Sequence, residues 1–195
     1  MTNQPIVPSP QATAQFWKEA TVGLNIDALA FYVGNTTLGT MIPPTFTFGL
    51  NKAESDIITR QVLAGHKTAI ATMVNDSEDP TNNDQSAENT NLLINESLIG
   101  RLSIMCSWQG YPLGVIRTDS LRVARLNDID EDFAHATADC EPDVSGQVLP
   151  QWRQYQQAMR YQRATELPLE AMSRFLEDDR WILETFTLLY PKPRE

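Results

Sequence analysis

The stretch Leu63-Ala64-Gly65-His66-Lys67-Thr68-Ala69 joins a predicted helix to a predicted strand. Before it, Asn51 and Glu54 have the spacing of a capping box, which marks the first turn of a helix. Gly65 stands where a helix commonly ends on a left-handed residue, and His66–Val74 then predicts a strand. The predicted buried stripe of the helix consists of Ile57, Ile58, Val62 and Leu63. These signals place Lys67 at a helix-to-strand junction.

Around this junction, the chain predicts strands joined by turns, with helices between groups of strands. The predicted helices are Gln11–Val22, Asp128–Ala138, Gln151–Arg163 and Leu169–Leu176, and the further predicted strands are Leu102–Trp108, Leu113–Thr118, Leu121–Leu126 and Trp181–Tyr190. Gly110 is predicted in a hairpin turn, and residues 1–10, with three prolines, predict a flexible tail. We expect Trp17, Trp152 and Trp181 in the core. This order indicates an α+β domain around a small curled sheet or barrel.

The charge and composition exclude several classes of protein. No run of 18 apolar residues exists, so no membrane-spanning helix is predicted. The N-terminus lacks the basic start and the apolar stretch of a secretory signal peptide. We therefore expect a cytoplasmic protein. Two cysteines and two histidines form no spaced ligand motif, so no metal or other cofactor is predicted. A chain of 195 residues can bury a sufficient core without such a group.

The formal net charge of −10 is concentrated in two segments, 75–100 and 127–151. The first contains six acidic residues and the second seven, and neither contains lysine or arginine. The remaining 12 acidic residues are outnumbered by the 15 basic ones, so the acidic total does not exclude a nucleic-acid ligand. It does favour a small or single-nucleotide ligand over non-specific binding of long RNA.

Lys67 is the residue whose surroundings most suggest chemistry. It is one of four lysines, and it lies between a capped helix and an apolar strand, where burial is expected. A lysine at low dielectric loses its charge easily and can act as a base or polarise a bound group. The alternative is a surface lysine whose ammonium reaches water. The segment is not a phosphate-binding loop, because the first glycine of that motif is missing.

An ordered set of short motifs resembles the ASCH domains, in their larger type, over about residues 46–191. The motifs are Phe48-Gly49, Leu63 to Ala69, Gly100, Gly110-Tyr111-Pro112, Phe133-Ala134, Asp139-Cys140-Glu141-Pro142-Asp143, Trp152-Arg153, and Glu184-Thr185-Phe186 to Tyr190-Pro191. The resemblance implies a PUA-like fold: a small β-barrel with helices around a cleft that recognises RNA or a modified nucleoside. Residues 45–191 would form this domain, with an acidic insertion at 75–97, and residues 1–44 an N-terminal tail and helical extension.

The resemblance also implies a set of site residues. Lys67 and Glu141 match a lysine and a glutamate that are catalytic in small ASCH amidohydrolases, which remove the acetyl group from N4-acetylcytidine. The further ligand-binding positions that the resemblance implies are Gly65, Thr68, Asp139, Asp143, Trp152 and Arg153. The family's threonine falls on Ile70, which has no hydroxyl. Its usual histidine falls on Gln156 and its usual aspartate after the Gly100 position on Arg101, while Cys140 and Pro142 replace two glycines and Asp139 shortens a glutamate.

The leading prediction is therefore recognition of RNA or a modified nucleoside in a cleft lined by Lys67 and Glu141. The alternative is amidohydrolysis of an N4-acylated cytidine, with Glu141 as general base for water and Lys67 stabilising the oxyanion. A third interpretation is a pocket for a small nucleotide-like ligand. Six arginines, Arg117, Arg122, Arg125, Arg153, Arg160 and Arg163, are available to hold phosphates or to pair with the acidic segments. The sequence does not indicate the oligomeric state.

Overall fold

The computed structural model describes residues 4–24, 42–74, 98–140, 146–165, 167, 172–173, 175–176 and 179–192, and the backbone of 32–33 and 36–37. The helices are α1 (Pro10–Gly23), α2 (Lys52–Leu63), α3 (Glu131–Thr137) and α4 (Leu149–Thr165). The strands are β1 (Tyr32–Val33), β2 (Thr36–Thr37), β3 (Thr45–Thr47), β4 (Ala69–Met73), β5 (Leu102–Cys106), β6 (Pro112–Arg125) and β7 (Arg180–Tyr190). The predicted insertion at 75–97 lies outside the described residues, as does part of the predicted helix Leu169–Leu176.

Five of the strands form one mixed sheet in the order β3-β5-β6-β7-β4. β3 pairs with β5 in parallel, whereas β5 with β6 and β4 with β7 pair antiparallel. The α+β class is confirmed, but the sheet is not closed into the predicted barrel. Closure requires the two edge strands to pair. Within the described ranges, β3 and β4 each have a single neighbour, so the sheet stays open.

Both ends of α2 follow the signals in the sequence. The side chain of Asn51 accepts a hydrogen bond from Glu54 N at 3.0 Å, and Leu50 N donates to Glu54 Oε2 at 2.9 Å. The first contact satisfies an N–H group that the first turn leaves without a helical partner, and the second connects Leu50, before the cap, to the same turn. At the other end, Gly65 has φ +77°, the left-handed conformation that glycine adopts at low cost. The helix therefore begins and ends as predicted.

The buried face of α2 differs from the prediction. Its buried residues are Ser55, Thr59 and Val62, whereas Ile57 is 54% exposed. Of the predicted stripe, Val62 is buried and Ile58 and Leu63 are half-buried, so the prediction is wrong for Ile57 and it missed the two buried hydroxyl residues. The hydroxyl oxygens of Ser55 and Thr59 are buried without a hydrogen-bond partner among the described residues. Unsatisfied hydroxyls of this kind cost free energy.

The chain divides into two compact units, which are described separately. Unit 1 comprises Met1–Lys67, Gly100–Thr118 and Phe186–Glu195. Its core joins α1 to β5 and β6 through Trp17, Ala20, Ile104, Cys106 and Val115. Ile6 N also donates to Trp108 O at 2.9 Å. This bond connects the predicted N-terminal tail, at Ile6, to the β5–β6 turn.

Unit 2 comprises Thr68–Ile99 and Asp119–Thr185. Its core is built on α3, α4, β4 and the first part of β7. The buried members are Ala69, Leu126, Ile129, Phe133, Ala134, Val148, Trp152, Trp181 and Leu183. Trp152 is 0% exposed and Trp181 1%, and Trp17 in unit 1 is 5% exposed, so the core positions predicted for these three tryptophans are confirmed.

Candidate functional site

Lys67 is held at the helix-to-strand junction by the chain that leaves α2. After the left-handed Gly65, the N–H groups of His66 and Lys67 both donate to Gln61 O, at 2.9 and 3.2 Å. This turn directs the chain away from the helix axis immediately before β4 begins. Lys67 is only 2% exposed. The predicted burial is therefore confirmed, and the alternative of a surface lysine is wrong.

The residues after Lys67 open unit 2. Thr68 N donates to Ala136 O at 2.8 Å, which fixes the start of β4 against α3. Its side chain is exposed, whereas Ile70 is half-buried and stands opposite Glu184 in the β4–β7 pair. The position that the family fills with threonine therefore lies in regular, paired strand.

Asp139 is the centre of a hydrogen-bonded group in unit 2. Its Oδ2 accepts from Trp152 Nε1 at 3.3 Å and from Gln156 Nε2 at 3.2 Å. Trp152 is fully buried and Gln156 is 6% exposed, so both donors reach the carboxylate from the interior. The preceding Ala138 has φ +51°, a left-handed cap that ends α3 and starts the segment carrying Asp139. Two donors fix this carboxylate against α4.

Gln156 is a member of this hydrogen-bonded group, although in the sequence it stands out only as a departure from the family pattern. It lies four residues after Trp152, so both side chains leave the same face of α4. That spacing is the signal that could have identified it. The partner could not be predicted, because Asp139 comes from a segment 17 residues away in sequence.

Trp152 and Arg153 have neighbours that bear on their predicted role. Trp152 has no exposed surface, and its indole N–H is directed to Asp139. Arg153 Nη2 donates to the carbonyl oxygens of Asn127 and Ile129, both at 2.7 Å. Arg153 therefore fastens α4 to the turn that precedes α3. Both side chains therefore donate hydrogen bonds to groups of this chain.

Glu131 is a second residue whose role the sequence did not reveal. Its Oε1 accepts from Val148 N at 2.6 Å and Leu149 N at 3.1 Å, at the first residues of α4. A carboxylate at a helix N-terminus satisfies free N–H groups and opposes the positive end of the helix dipole. The sequence placed this acid only in the first turn of its own helix. Glu131 thereby positions the helix that carries Trp152 and Gln156.

The two remaining predicted site residues belong to the acidic segment that follows Asp139. Glu141 and Asp143 lie outside the described residues. Cys140, beside Asp139, is half-buried, and its pKa is raised by burial and secondly by the negative charge of Asp139. Among the described side chains, no group of three histidine, cysteine, aspartate or glutamate residues could hold a metal ion.

Several of the arginines considered for phosphate binding contact their own chain. Arg122 forms an ion pair with Asp130 at 3.3 Å and lies 5.8 Å from the centre of the Phe133 ring. Arg125 is 3.9 Å from Asp179, and Arg160 donates to the carbonyl oxygens of Phe175 and Leu176. Arg153 is engaged in the same way through its bonds to Asn127 and Ile129. The pairing with acidic residues is confirmed for Arg122, whose partner lies in the acidic segment 127–151.

Comparisons with known proteins identify the family. The sequence profile of the ASCH domain matches residues 45–190. The fold is similar to protein EF3133 from Enterococcus faecalis V583, described as a DUF984 family member, with a TM-score of 0.61 and 16% identity over 96% of this chain and 99% of that chain. It is also similar to an ASCH domain from Lactobacillus crispatus JV V101, with a TM-score of 0.55 and 16% identity over 91% of this chain and 94% of that one. No curated protein is significantly similar in sequence.

Proposed function

Since this chain belongs to the ASCH domain family, we propose that it recognises a modified nucleoside, free or within RNA, through Lys67 and the acidic segment that contains Asp139, Glu141 and Asp143. The observation that carries the proposal is the burial of Lys67, at 2% exposure, in the motif position that resembles the family's. An amine held away from water forms stronger electrostatic hydrogen bonds than one in solvent. A nucleobase carbonyl oxygen is a suitable acceptor.

Asp139 supports the same proposal from unit 2. Nucleobases with an amino group present N–H donors, and a carboxylate is an acceptor for them. Trp152 and Gln156 hold Asp139 Oδ2 in one orientation, so little conformational freedom would be lost on binding. In this role Trp152, Gln156 and Arg153 are positioning residues, and Gly65 and Thr68 shape the backbone beside Lys67.

The arginines favour a single nucleoside over an extended RNA strand. Binding along a strand depends on cations that neutralise phosphates. Arg122, Arg125, Arg153 and Arg160 already donate to, or pair with, groups of this chain, and the net charge is −10. A neutral nucleoside requires no such cations.

The second candidate is amidohydrolysis of an N4-acylated cytidine, supported by the match of Lys67 and Glu141 to the family's catalytic lysine and glutamate. In this reaction Glu141 takes a proton from water, the water oxygen attacks the amide carbonyl, and Lys67 stabilises the oxyanion. Collapse of the tetrahedral intermediate returns the proton to the departing amine and releases acetate. Ile70 weighs against this candidate, because it offers no hydroxyl to replace the water.

A thermal-shift titration with cytidine, uridine and N4-acetylcytidine tests the proposal. At a nucleoside concentration of about 100 Kd, binding stabilises the protein by about 2.7 kcal/mol, which raises the Tm by roughly 5–10 °C. Lys67→Met, which conserves volume, should abolish the shift. Lys52→Met removes the same charge from an exposed position and should retain it. Asp139→Asn should reduce the ligand-induced rise in Tm. This variant provides a second test if Lys67→Met does not fold.

The same titration separates the competing interpretations. Nucleoside binding should change little when salt rises from about 50 to about 200 mM, whereas binding of an RNA strand through arginines would weaken steeply. Release of acetate from N4-acetylcytidine, followed by chromatography, would establish the amidohydrolase. Absence of any nucleoside shift in the unmodified protein overturns the leading proposal.

A further inference from the structure

Unit 1 contains a cavity that lies outside the proposed nucleoside site. It has a volume of about 330 Å³ and is lined by Asp56, Thr59, Arg60, Leu63, Ser107 and Leu113. The first four belong to α2, and the other two flank the turn between β5 and β6. A water molecule occupies about 30 Å³ in the liquid, so the cavity of about 330 Å³ has room for roughly ten non-hydrogen atoms. This is the size of a small organic molecule.

The lining carries one negative and one positive side chain, Asp56 and Arg60. Asp56 forms an ion pair with Lys52, one turn earlier on α2, so these three side chains together carry one net positive charge. Arg60 is exposed, and no described side chain forms an ion pair with it. A single planar guanidinium binds a carboxylate through two parallel hydrogen bonds. The lining is thus complementary to a ligand with one negative charge.

The uncharged residues indicate the rest of the ligand. Leu63 and Leu113 give the cavity apolar walls, which favour an aliphatic group. Ser107 Oγ accepts a hydrogen bond from Tyr111 N at 3.1 Å, so its hydroxyl hydrogen can still be donated. Arg60 and Ser107 are both donors toward an anion. A dianionic phosphate ester would bring one more negative charge than the Arg60 guanidinium balances.

We propose that this cavity between α2 and the β5–β6 turn binds a small aliphatic monocarboxylate. The carboxylate pairs with Arg60 and accepts from Ser107, and the alkyl chain lies against Leu63 and Leu113. The site is independent of the nucleoside proposal, because none of its lining residues belongs to that set. Its success or failure therefore leaves the role of Lys67 untouched.

Titration of the full chain with sodium hexanoate, followed by amide chemical shifts in two-dimensional NMR, tests the site. We expect saturable shifts at Arg60, Ser107 and Leu113. Arg60→Gln should weaken binding by about tenfold or more, since it removes a charge-assisted bidentate pair. Arg101→Gln is the control, because it removes the same charge from an exposed arginine of unit 1 that does not line the cavity.

A neutral probe makes the test sharper. Hexan-1-ol has the same number of carbon atoms, with a hydroxyl group in place of the carboxylate, and should bind at least about tenfold more weakly than hexanoate. Leu113→Phe reduces the free volume and should weaken hexanoate binding even where Arg60 is intact. The proposal is overturned by any of three results: no saturable shifts with hexanoate, equal binding of hexanoate and hexan-1-ol, or unchanged binding in Arg60→Gln.

Discussion

Helices α2 and α4 both bury polar side chains, but only α4 provides them with partners. On α2, the hydroxyls of Ser55 and Thr59 are buried, and none of the described residues accepts from them or donates to them. On α4, the buried Trp152 and Gln156 both donate to Asp139 Oδ2. A satisfied buried polar group contributes about 1 kcal/mol, whereas an unsatisfied one costs about 1–3 kcal/mol. The two helices should therefore respond in opposite directions when these groups are removed.

The difference between the two helices shows which buried polar side chains are held in a fixed orientation by hydrogen bonds. The hydrogen bonds on α4 determine the orientation of a carboxylate, and Glu131 and Arg153 determine the position of the helix itself. On α2, no comparable bonds involve the buried hydroxyls. Polar groups that are costly to bury and fully bonded are commonly those that specify a unique arrangement. This contrast separates the bonded polar group on α4 from the unbonded hydroxyls on α2.

The largest expected effect comes from breaking the α4 group. Asp139→Ala leaves the buried Trp152 Nε1 and Gln156 Nε2 without their acceptor, and we expect a loss of about 2–4 kcal/mol in the free energy of unfolding. Urea denaturation measures this. Asp132→Ala is the control, because Asp132 is exposed in the first turn of α3 and should cost at most about 1 kcal/mol. Equal losses in the two variants would show that the bonds to Asp139 carry no net stability.

A smaller effect of opposite sign is expected on α2. Thr59→Val and Ser55→Ala each remove a buried hydroxyl that has no partner, so each should leave stability unchanged or raise it by about 1 kcal/mol. Thr137→Val is the matched comparison, because Thr137 is also buried but donates to Ala134 O at 2.8 Å. It should lose about 1 kcal/mol. A substantial loss in Thr59→Val would contradict the comparison between the helices.

The smallest effect concerns the two cysteines, one in each unit. Burial raises the pKa of Cys106 to about 11, and Cys140 is half-buried. At about pH 8 we expect a thiol reagent to modify Cys140 first, with Cys106 reacting only as the protein unfolds. Cys140→Ser should therefore eliminate the fast phase. Two fast thiols in the native protein would show that unit 1 opens readily around Cys106.

The Cys106 thiol makes the free energy of unfolding depend on pH, and the raised pKa determines the direction of that dependence. The folded protein retains the Cys106 proton up to about pH 11, whereas the unfolded chain releases it near the ordinary value of 9.0. Below about pH 9 the thiol is protonated in both states, so stability is unaffected there. As pH rises from about 9 toward 11, the unfolded state is favoured and stability falls. Cys106→Val should lack this contribution in denaturation curves at each pH.

Local signals predicted the bounds of elements more reliably than the faces that pack. Asn51, Glu54 and Gly65 act within one turn of chain, so they predicted both ends of α2. Which side of α2 is buried depends on the residues that cover it, and Ile57 shows that the apolar stripe did not decide this. The polar pair Asp119-Ser120 interrupts the predicted strands, yet β6 continues through it. Ser120 Oγ lies 2.6 Å from Thr185 Oγ1, so a cross-strand partner satisfies the hydroxyl.

The candidate site was predicted in part for the same reason. Lys67 could be recognised because its helix-to-strand junction and its burial follow from neighbouring residues. The bonds from Trp152 and Gln156 to Asp139, and from the first residues of α4 to Glu131, join segments 13 to 18 residues apart. No local pattern encodes such pairs. Residue types and spacing thus predicted the candidate groups, while tertiary packing determined which of them are positioning residues.

The parallel pairing of β3 with β5 has a consequence for folding. Thr45 stands opposite Ile104, so the two partners are 59 positions apart in sequence. Only three residue pairs between β3 and β5 offset the entropy lost when this long loop closes. The β5–β6 pair, in contrast, is closed by a short turn around Gly110. Contacts between distant residues form slowly, because the entropy of closing a long loop is lost before the contacts are gained. We expect β5 and β6 to be paired in the folding transition state and β3 to join the sheet afterwards, so substitutions in β3 should accelerate unfolding and leave the folding rate nearly unchanged.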